Sequence, residues 1–172
     1  MKQTLQFIFA LILIICLNSC KSESIYDLNE LLEQLNTTYE YNLVFEDFTV
    51  TKDDFFIYST VIDKNLLLCF YCNNQNEIIQ CTITTDIKPT NDFEKMWQSI
   101  GSILTSAEIE EIKKISSKNK VNGWNFQKNE NDIGTTIIIN RYDNPINSNN
   151  LPAIKEYIDE NKITRPINNT RP

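Results

Sequence analysis

Residues 65–72 (NLLLCFYC) and 77–87 (EIIQCTITTDI) decide the fold of this chain. Both runs are rich in β-branched and aromatic residues, and the polar residues 73–76 between them supply a turn, which predicts an antiparallel hairpin. Two earlier runs, 42–50 and 54–62, have the same character and are joined by short connections. Together the four runs predict a four-strand antiparallel meander.

The register of the 65–72/77–87 hairpin bears on the three cysteines within it. Pairing residue 72 with 77 and residue 70 with 79 gathers the apolar side chains on one face. Cys72 and Cys81 then share that face but lie about 13 Å apart along the strands, beyond disulfide reach. Cys69 points to the other face, and only a one-residue slip sets it opposite Cys81. We therefore expect buried free thiols, with a Cys69–Cys81 disulfide as the disfavoured alternative.

Helical patterns flank the meander. Apolar residues at spacings of three and four between residues 25 and 39 predict an amphipathic helix. Two helices are expected after the meander, the first capped by Asn91 with Glu94 and the second by Thr105 with Glu108. We read no repeat that would divide the chain further.

A second hairpin and a last helix complete the predicted fold. The hairpin is expected at about 121–127 and 135–142, and Pro152 marks the first turn of the final helix. The prediction is an α+β domain with the element order α-β-β-β-β-α-α-β-β-α, in which helices cover one face of an antiparallel sheet. The apolar positions of the final helix are Leu151, Ile154, Tyr157 and Ile158.

Composition excludes several classes of function. The chain has a net charge of −7, which argues against nucleic acid as a partner, since such partners demand clustered Lys and Arg. It has no histidine, so catalytic triads and HExxH zinc sites are excluded. Its three glycines form no phosphate-binding loop. We predict no cofactor and no metal.

The N-terminal residues have the pattern of a cleaved leader peptide. The apolar run Phe7 to Leu17 follows Lys2 and has eleven residues. That length suits a signal peptide, whereas a membrane-spanning helix needs about 20 residues. The tetrad Leu17-Asn18-Ser19-Cys20 resembles the lipobox of bacterial lipoproteins. The resemblance implies that Cys20 becomes the first residue and carries lipid, such as palmitate, that anchors the chain to a membrane.

These patterns predict four segments. Residues 1–19 form the signal peptide, 20–24 a lipidated tether, 25–163 a single α+β domain and 164–172 a disordered tail. An ordinary secreted leader and an uncleaved anchor are the alternatives at the N-terminus. Without Lys2 the mature chain has 15 basic and 23 acidic side chains, a net charge of −8.

Four local patterns point only weakly to chemistry. Ser117-Lys118-Asn119-Lys120 has SxxK spacing, but it follows a predicted helix and lacks the companion motifs of acyl enzymes. Residues 129–134 superficially match a calcium loop, and a hairpin turn accounts for them better. The adjacent acids Asp53-Asp54 stand at a strand start, where a solvated charge is the common case. Cys69, Cys72 and Cys81 lack a fourth zinc ligand.

The sequence therefore predicts an extracytoplasmic, lipid-anchored protein, on the periplasmic or cell-surface side, that binds a protein partner or a small ligand. Tyr58, Tyr71 and Trp124 are candidate recognition residues, and the alternative is that each is a core residue or an ordinary surface residue. An envelope enzyme that uses carboxylates or a Ser/Lys pair is the second hypothesis. An immunity-type or structural envelope lipoprotein is the third.

Overall fold

The computed structural model describes residues 27–52, 54–62, 65–132, 134–143 and 145–146. Three α-helices lie in this part of the chain: α1 (Leu28–Tyr39), α2 (Asn91–Thr105) and the short α3 (Ile109–Ile112). The seven strands are β1 (Thr49–Lys52), β2 (Phe56–Ile62), β3 (Leu66–Cys72), β4 (Ile78–Thr85), β5 (Lys118–Val121), β6 (Trp124–Glu130) and β7 (Thr135–Asn140).

The seven strands form one antiparallel sheet in the order β1-β2-β3-β4-β7-β6-β5. The pairing of β4 with β7 joins the meander to the second group of strands. This arrangement confirms the predicted α+β class with an antiparallel sheet. The predicted last helix, like the leader and Cys20, lies outside the described residues.

One face of the sheet, here called the first face, packs against the helices. Its alternate side chains from β3, such as Leu68 and Phe70, share a buried cluster with Leu31 of α1 and with Met96 and Ile100 of α2. An antiparallel sheet buries an apolar face in this way because a layer of helices excludes water from it. The main core therefore lies between the sheet and α1–α3.

The predicted strand at 42–50 is wrong over most of its length. Only residues 49 and 50 belong to β1, and a 3-10 turn occupies Phe45–Asp47. The backbone of Leu43 is bound instead by the Asn36 side chain, whose amide donates to the Leu43 carbonyl at 2.6 Å and accepts from its N–H at 2.9 Å. These groups are therefore satisfied without a strand partner.

The predicted register of β3 and β4 is also wrong, by one residue at Cys72 because residue 77 closes the turn, and by two at Phe70 because a bulge follows. Phe70 pairs with Cys81 and Tyr71 with Gln80, but Cys72 pairs with Ile78. Ile79 is the extra residue, and it moves to the face opposite the helices. Cys69 pairs with Thr82 and lies on the other face from Cys81.

Strand β5 was not predicted. Residues 121–127 were expected as one strand, yet Asn122 and Gly123 form a two-residue turn within them, with φ of 44° and 86°. Both values lie in the left-handed region, which Asn and Gly tolerate best and which suits a tight hairpin. The second group is therefore a three-strand meander.

Helix boundaries differ from the predicted caps as well. Thr90, not Asn91, caps α2, and its hydroxyl accepts the N–H of Phe93 at 3.2 Å. Thr105 is the last residue of α2, and its hydroxyl donates to the carbonyl of Gly101 at 2.6 Å. The helix expected after it contracts to the single turn of α3.

Candidate functional site

A groove of about 380 Å³ opens at one end of the first face. Four segments that are distant in sequence meet there: the end of α1 with the loop to Leu43, the facing ends of β2 and β3, the end of β4, and the first turns of α2. This volume lies in the range of small-molecule sites, about 300–1,000 Å³. The groove is the candidate functional site.

The end of α1 turns the chain into the groove. Glu40 adopts a left-handed conformation, with φ of 61°, and ends the helix by directing its backbone N–H at the Leu35 carbonyl. The following residues are then held back against α1 by the Asn36 amide. As a result Tyr39 and Tyr41 stand on one wall, half-buried.

The groove has an apolar floor and a polar rim. The floor consists of buried core side chains, while Glu40, Asp92 and Lys95 are exposed at the rim. Ile87, which follows β4, is 40% exposed beside them. The floor residues are Leu43, Ile62, Leu66, Phe93 and Met96. Such a lining suits a ligand with an apolar body and a few polar groups.

Tyr41 connects the floor to the rim. The Lys95 ammonium lies over its ring, 5.7 Å from the centroid, at cation–π distance. Its hydroxyl is buried and has no hydrogen-bond partner within the described part of the chain. Burial raises the pKa of Tyr41 to about 12, while the nearby Ser99 side chain, whose hydroxyl donates to the Lys95 carbonyl instead, acts in the lowering direction. The phenol therefore stays protonated and can donate a hydrogen bond, but it cannot serve as a base.

The two threonine hydroxyls of the groove bind the backbone. Thr90 accepts from the N–H of Phe93 at 3.2 Å, and Thr85 accepts from the N–H of Ile87 at 3.4 Å. Both threonine hydroxyls of the lining therefore hold backbone N–H groups at the ends of regular elements.

The cysteines lie in the body of the sheet. Cys69, Cys72 and Cys81 are buried free thiols. Burial raises the pKa of Cys69 and Cys72 to about 12 and that of Cys81 well above its usual value. Thiols in this state are poor nucleophiles. In the described residues, no group of three or more Cys, Asp and Glu side chains could hold a metal ion.

The other candidate motifs lie apart from the groove. Ser117 precedes edge strand β5, and its carbonyl accepts the N–H of Lys128. Lys120 is three residues further on, so its side chain points to the other side of the strand. The turn at 129–134 is closed by the Asn131 side chain, which accepts the N–H of Gly134 at 2.9 Å. Asp54 is exposed, and Asp53 lies outside the described residues.

The aromatic recognition candidates belong to the core. Tyr58, Tyr71 and Trp124 are all buried, and none of them lines the groove. The residues that do line it were missed because no local pattern unites four separate segments. A usable signal was the pair Tyr39 and Tyr41, which places two aromatic rings at the end of a helix that already has its apolar stripe.

Another polar cluster lies where α2 approaches β6. Glu94 accepts the indole N–H of Trp97 at 2.7 Å and lies 3.7 Å from the Lys128 ammonium, which also contacts Glu130 at 2.9 Å. The hydrogen bond to Glu130 is the main reason that the pKa of Lys128 is raised. This network ties α2 to β6 and is structural.

Comparison with known proteins gives no relative to reason from. No protein-family model, curated protein or solved structure matches this chain. Among the described helices, the longest of which has 15 residues, none is long and apolar enough to cross a membrane.

Proposed function

We propose that this chain is a lipid-anchored, extracytoplasmic binding protein of a bacterial envelope and that the groove is its binding site. The observation that carries the proposal is the groove itself, with its apolar floor, its two tyrosines and its charged rim. A site of this kind binds by excluding water from an apolar ligand and orients it with a few polar contacts. The ligand proposed is a small molecule with an aromatic or aliphatic body.

The proposed domain runs from residue 25 to 163, in the predicted element order with β5 added. The tether 20–24 and the lipid on Cys20 hold it at the membrane, and 164–172 form a tail. The net negative charge supports a protein that keeps off anionic lipid except through its acyl chains. No nucleic acid is proposed as a partner.

The binding role is tested by substitution at the groove rim. Ile87→Asp removes the exposed aliphatic contact and places a charge there, and Val50→Asp is the matched control, since Val50 is 48% exposed on β1 and does not line the groove. Aromatic fragments screened by ligand-observed NMR are expected to bind the wild type and Val50→Asp. Ile87→Asp is expected to bind them about tenfold more weakly, because covering one aliphatic side chain with a ligand contributes roughly that factor to the affinity. Equal affinity in all three proteins, or no fragment bound at all, contradicts the proposal.

The anchor is tested separately. Labelled palmitate is expected in the wild type and in Cys16→Ser, whose substituted residue leaves with the leader. Cys20→Ser is expected to carry no label. Label retained by Cys20→Ser rejects the lipid anchor but leaves the groove proposal to its own test.

A further inference from the structure

The side of the sheet away from α1–α3, here called the second face, is buried although those helices do not cover it. It consists of the alternate side chains of β2, β3, β4 and β7 that point away from the helices. None of its central side chains is more than 5% exposed. They are Ser59, Val61, Leu67, Cys69, Tyr71, Gln80, Thr82, Ile138 and Asn140.

The part of the chain that the structure describes accounts for little of this burial. Partly buried apolar side chains packed against the second-face cluster are Phe55 and Ile57, at the start of the sheet's own β2, and Ile146. Large side chains on a sheet face become this inaccessible only under a further layer. Such a layer must come from residues beyond those described.

The chain after β7 turns onto the second face. The carbonyl of Tyr142 accepts from the side-chain amides of Asn140 at 2.6 Å and Asn125 at 2.8 Å, and both belong to strand positions of the second face. Ile146 lies four residues after Tyr142. The Gln80 side chain donates to the Ile146 carbonyl at 3.0 Å and accepts the Ile146 N–H at 2.7 Å. Gln80 is fully buried, so the last described residue already lies on this face.

The segment that follows has the length and pattern of a cover. Between Ile146 and Leu151 the extended chain reaches about 17 Å, enough to pass over three strands spaced about 4.8 Å apart. A helix over 151–163 is about 20 Å long, which spans four such spacings. Its apolar residues recur on one side at positions 151, 154, 157 and 158.

The N-terminal end of the chain arrives from the other side. Asp27 caps α1 and forms an isolated bridge with Glu77, and Leu28 is buried directly in the first-face core. We propose that residues 147–163 dock as a helix on the second face, with Ile154 against the cluster around Leu67 and Cys69. In this arrangement the sheet lies between two helical layers, and the groove stays open at one end of the first face.

The three thiols report on the two faces independently. Cys69 lies on the second face, whereas Cys72 and Cys81 lie on the first. In the full chain, Ile154→Gln is expected to speed alkylation of Cys69 about tenfold, since it weakens burial of one aliphatic side chain. Cys72 and Cys81 are expected to stay protected. Glu156→Gln, which makes the same residue on the polar side of the predicted helix, is the matched control and is expected to leave all three rates unchanged.

The other outcomes also decide for or against the docking. Alkylation of Cys69 at the same rate in Ile154→Gln and Glu156→Gln overturns it. Protection of Cys69 that depends on residues 1–19 rather than on Ile154 assigns the cover to the leader instead. If Ile154→Gln exposes all three thiols together, the milder Ile154→Ala decides: selective acceleration at Cys69 supports the docking, and equal acceleration or none refutes it.

Discussion

Substitution of Gln80 by Glu converts a neutral buried contact into one that depends on pH. The Gln80 side chain is fully buried on β4 and binds both backbone groups of Ile146, at 3.0 and 2.7 Å. Gln80→Glu preserves the shape, so no cavity forms. A protonated carboxyl can still donate to the Ile146 carbonyl, whereas an ionised one sets a negative oxygen against that carbonyl. The folded state therefore favours the protonated form.

The magnitude follows from linkage between protonation and folding. Burial and the facing carbonyl raise the pKa of the introduced carboxyl above the value of about 4.3 that it has in the unfolded chain. The stability of Gln80→Glu is thus fully present below pH about 4.3 and is lost as the pH rises to the folded-state pKa. With a rise of about three pKa units, the deficit relative to wild type grows from about 1.6 kcal/mol at pH 5.5 to about 4 kcal/mol above pH 7.5.

Urea unfolding of both proteins at pH 5.5, 6.5, 7.5 and 8.5 measures this deficit directly. Gln127→Glu is the matched control, because Gln127 lies on β6, on the same face of the sheet as Gln80, but is only half-buried. The control is expected to change the free energy of unfolding by less than about 0.5 kcal/mol at each pH. A deficit of the same size at every pH would refute the reasoning. It would mean that the carboxyl is solvated and that the Ile146 contact is not enclosed.

Two further changes test the sheet. Gly134→Ala is expected to lower the free energy of unfolding, measured in urea, by about 3 kcal/mol, because a Cβ there would lie 1.9 Å from the Thr85 carbonyl oxygen. Gly123→Ala, at a turn with φ of 86°, is expected to lower it by only about 1 kcal/mol. Equal losses in the two variants would contradict the close approach of β4 and β7. Cys69→Ala is expected to lose less stability than the wild type between pH 9 and pH 11, because a buried thiol whose pKa is about 12 loses about 1.4 kcal/mol for each pH unit above its ordinary value of 9.0. Parallel stability curves for the two proteins would show that Cys69 does not titrate in this way.

The strands that were predicted correctly are those whose side chains are buried. β2, β3 and β4 carry dense β-branched and aromatic runs, and burial on both faces makes such runs unambiguous. Residues 42–50 have a similar composition, but the Asn36 amide captures the backbone of Leu43 and removes it from pairing. A contact between residues seven positions apart leaves no periodic signal.

The register error and the missing strand have different causes. The register shifts by one residue at the turn and by a second at the bulge at Ile79, and alternation alone locates neither shift. The turn at Asn122 and Gly123, in contrast, carries the strongest short hairpin signal that a sequence can show. The alternation of Trp124 and Phe126 with polar residues masked it, because the run from Val121 onward reads as one strand.

The groove could not be predicted because it depends on tertiary contacts alone. Its floor is ordinary core, and its walls come from segments as distant as Tyr41 and Ile87. What the sequence does contain is the chemistry that closes one wall, in the amide of Asn36. A side-chain amide presents one donor and one acceptor, so it can bind a peptide group on both sides as a neighbouring strand would.

Two side-chain amides among the described residues bind a peptide group in this way, and each lies at a different surface. Asn36 holds the loop at Leu43 beside the groove, and Gln80 holds Ile146 on the second face. In both places a segment outside the ladder is bound by one residue of a regular element. Loss of one amide should therefore release one segment while the sheet persists, which makes the groove and the second face separately adjustable. The proposed binding at the groove and the proposed cover of the second face can therefore change independently of each other.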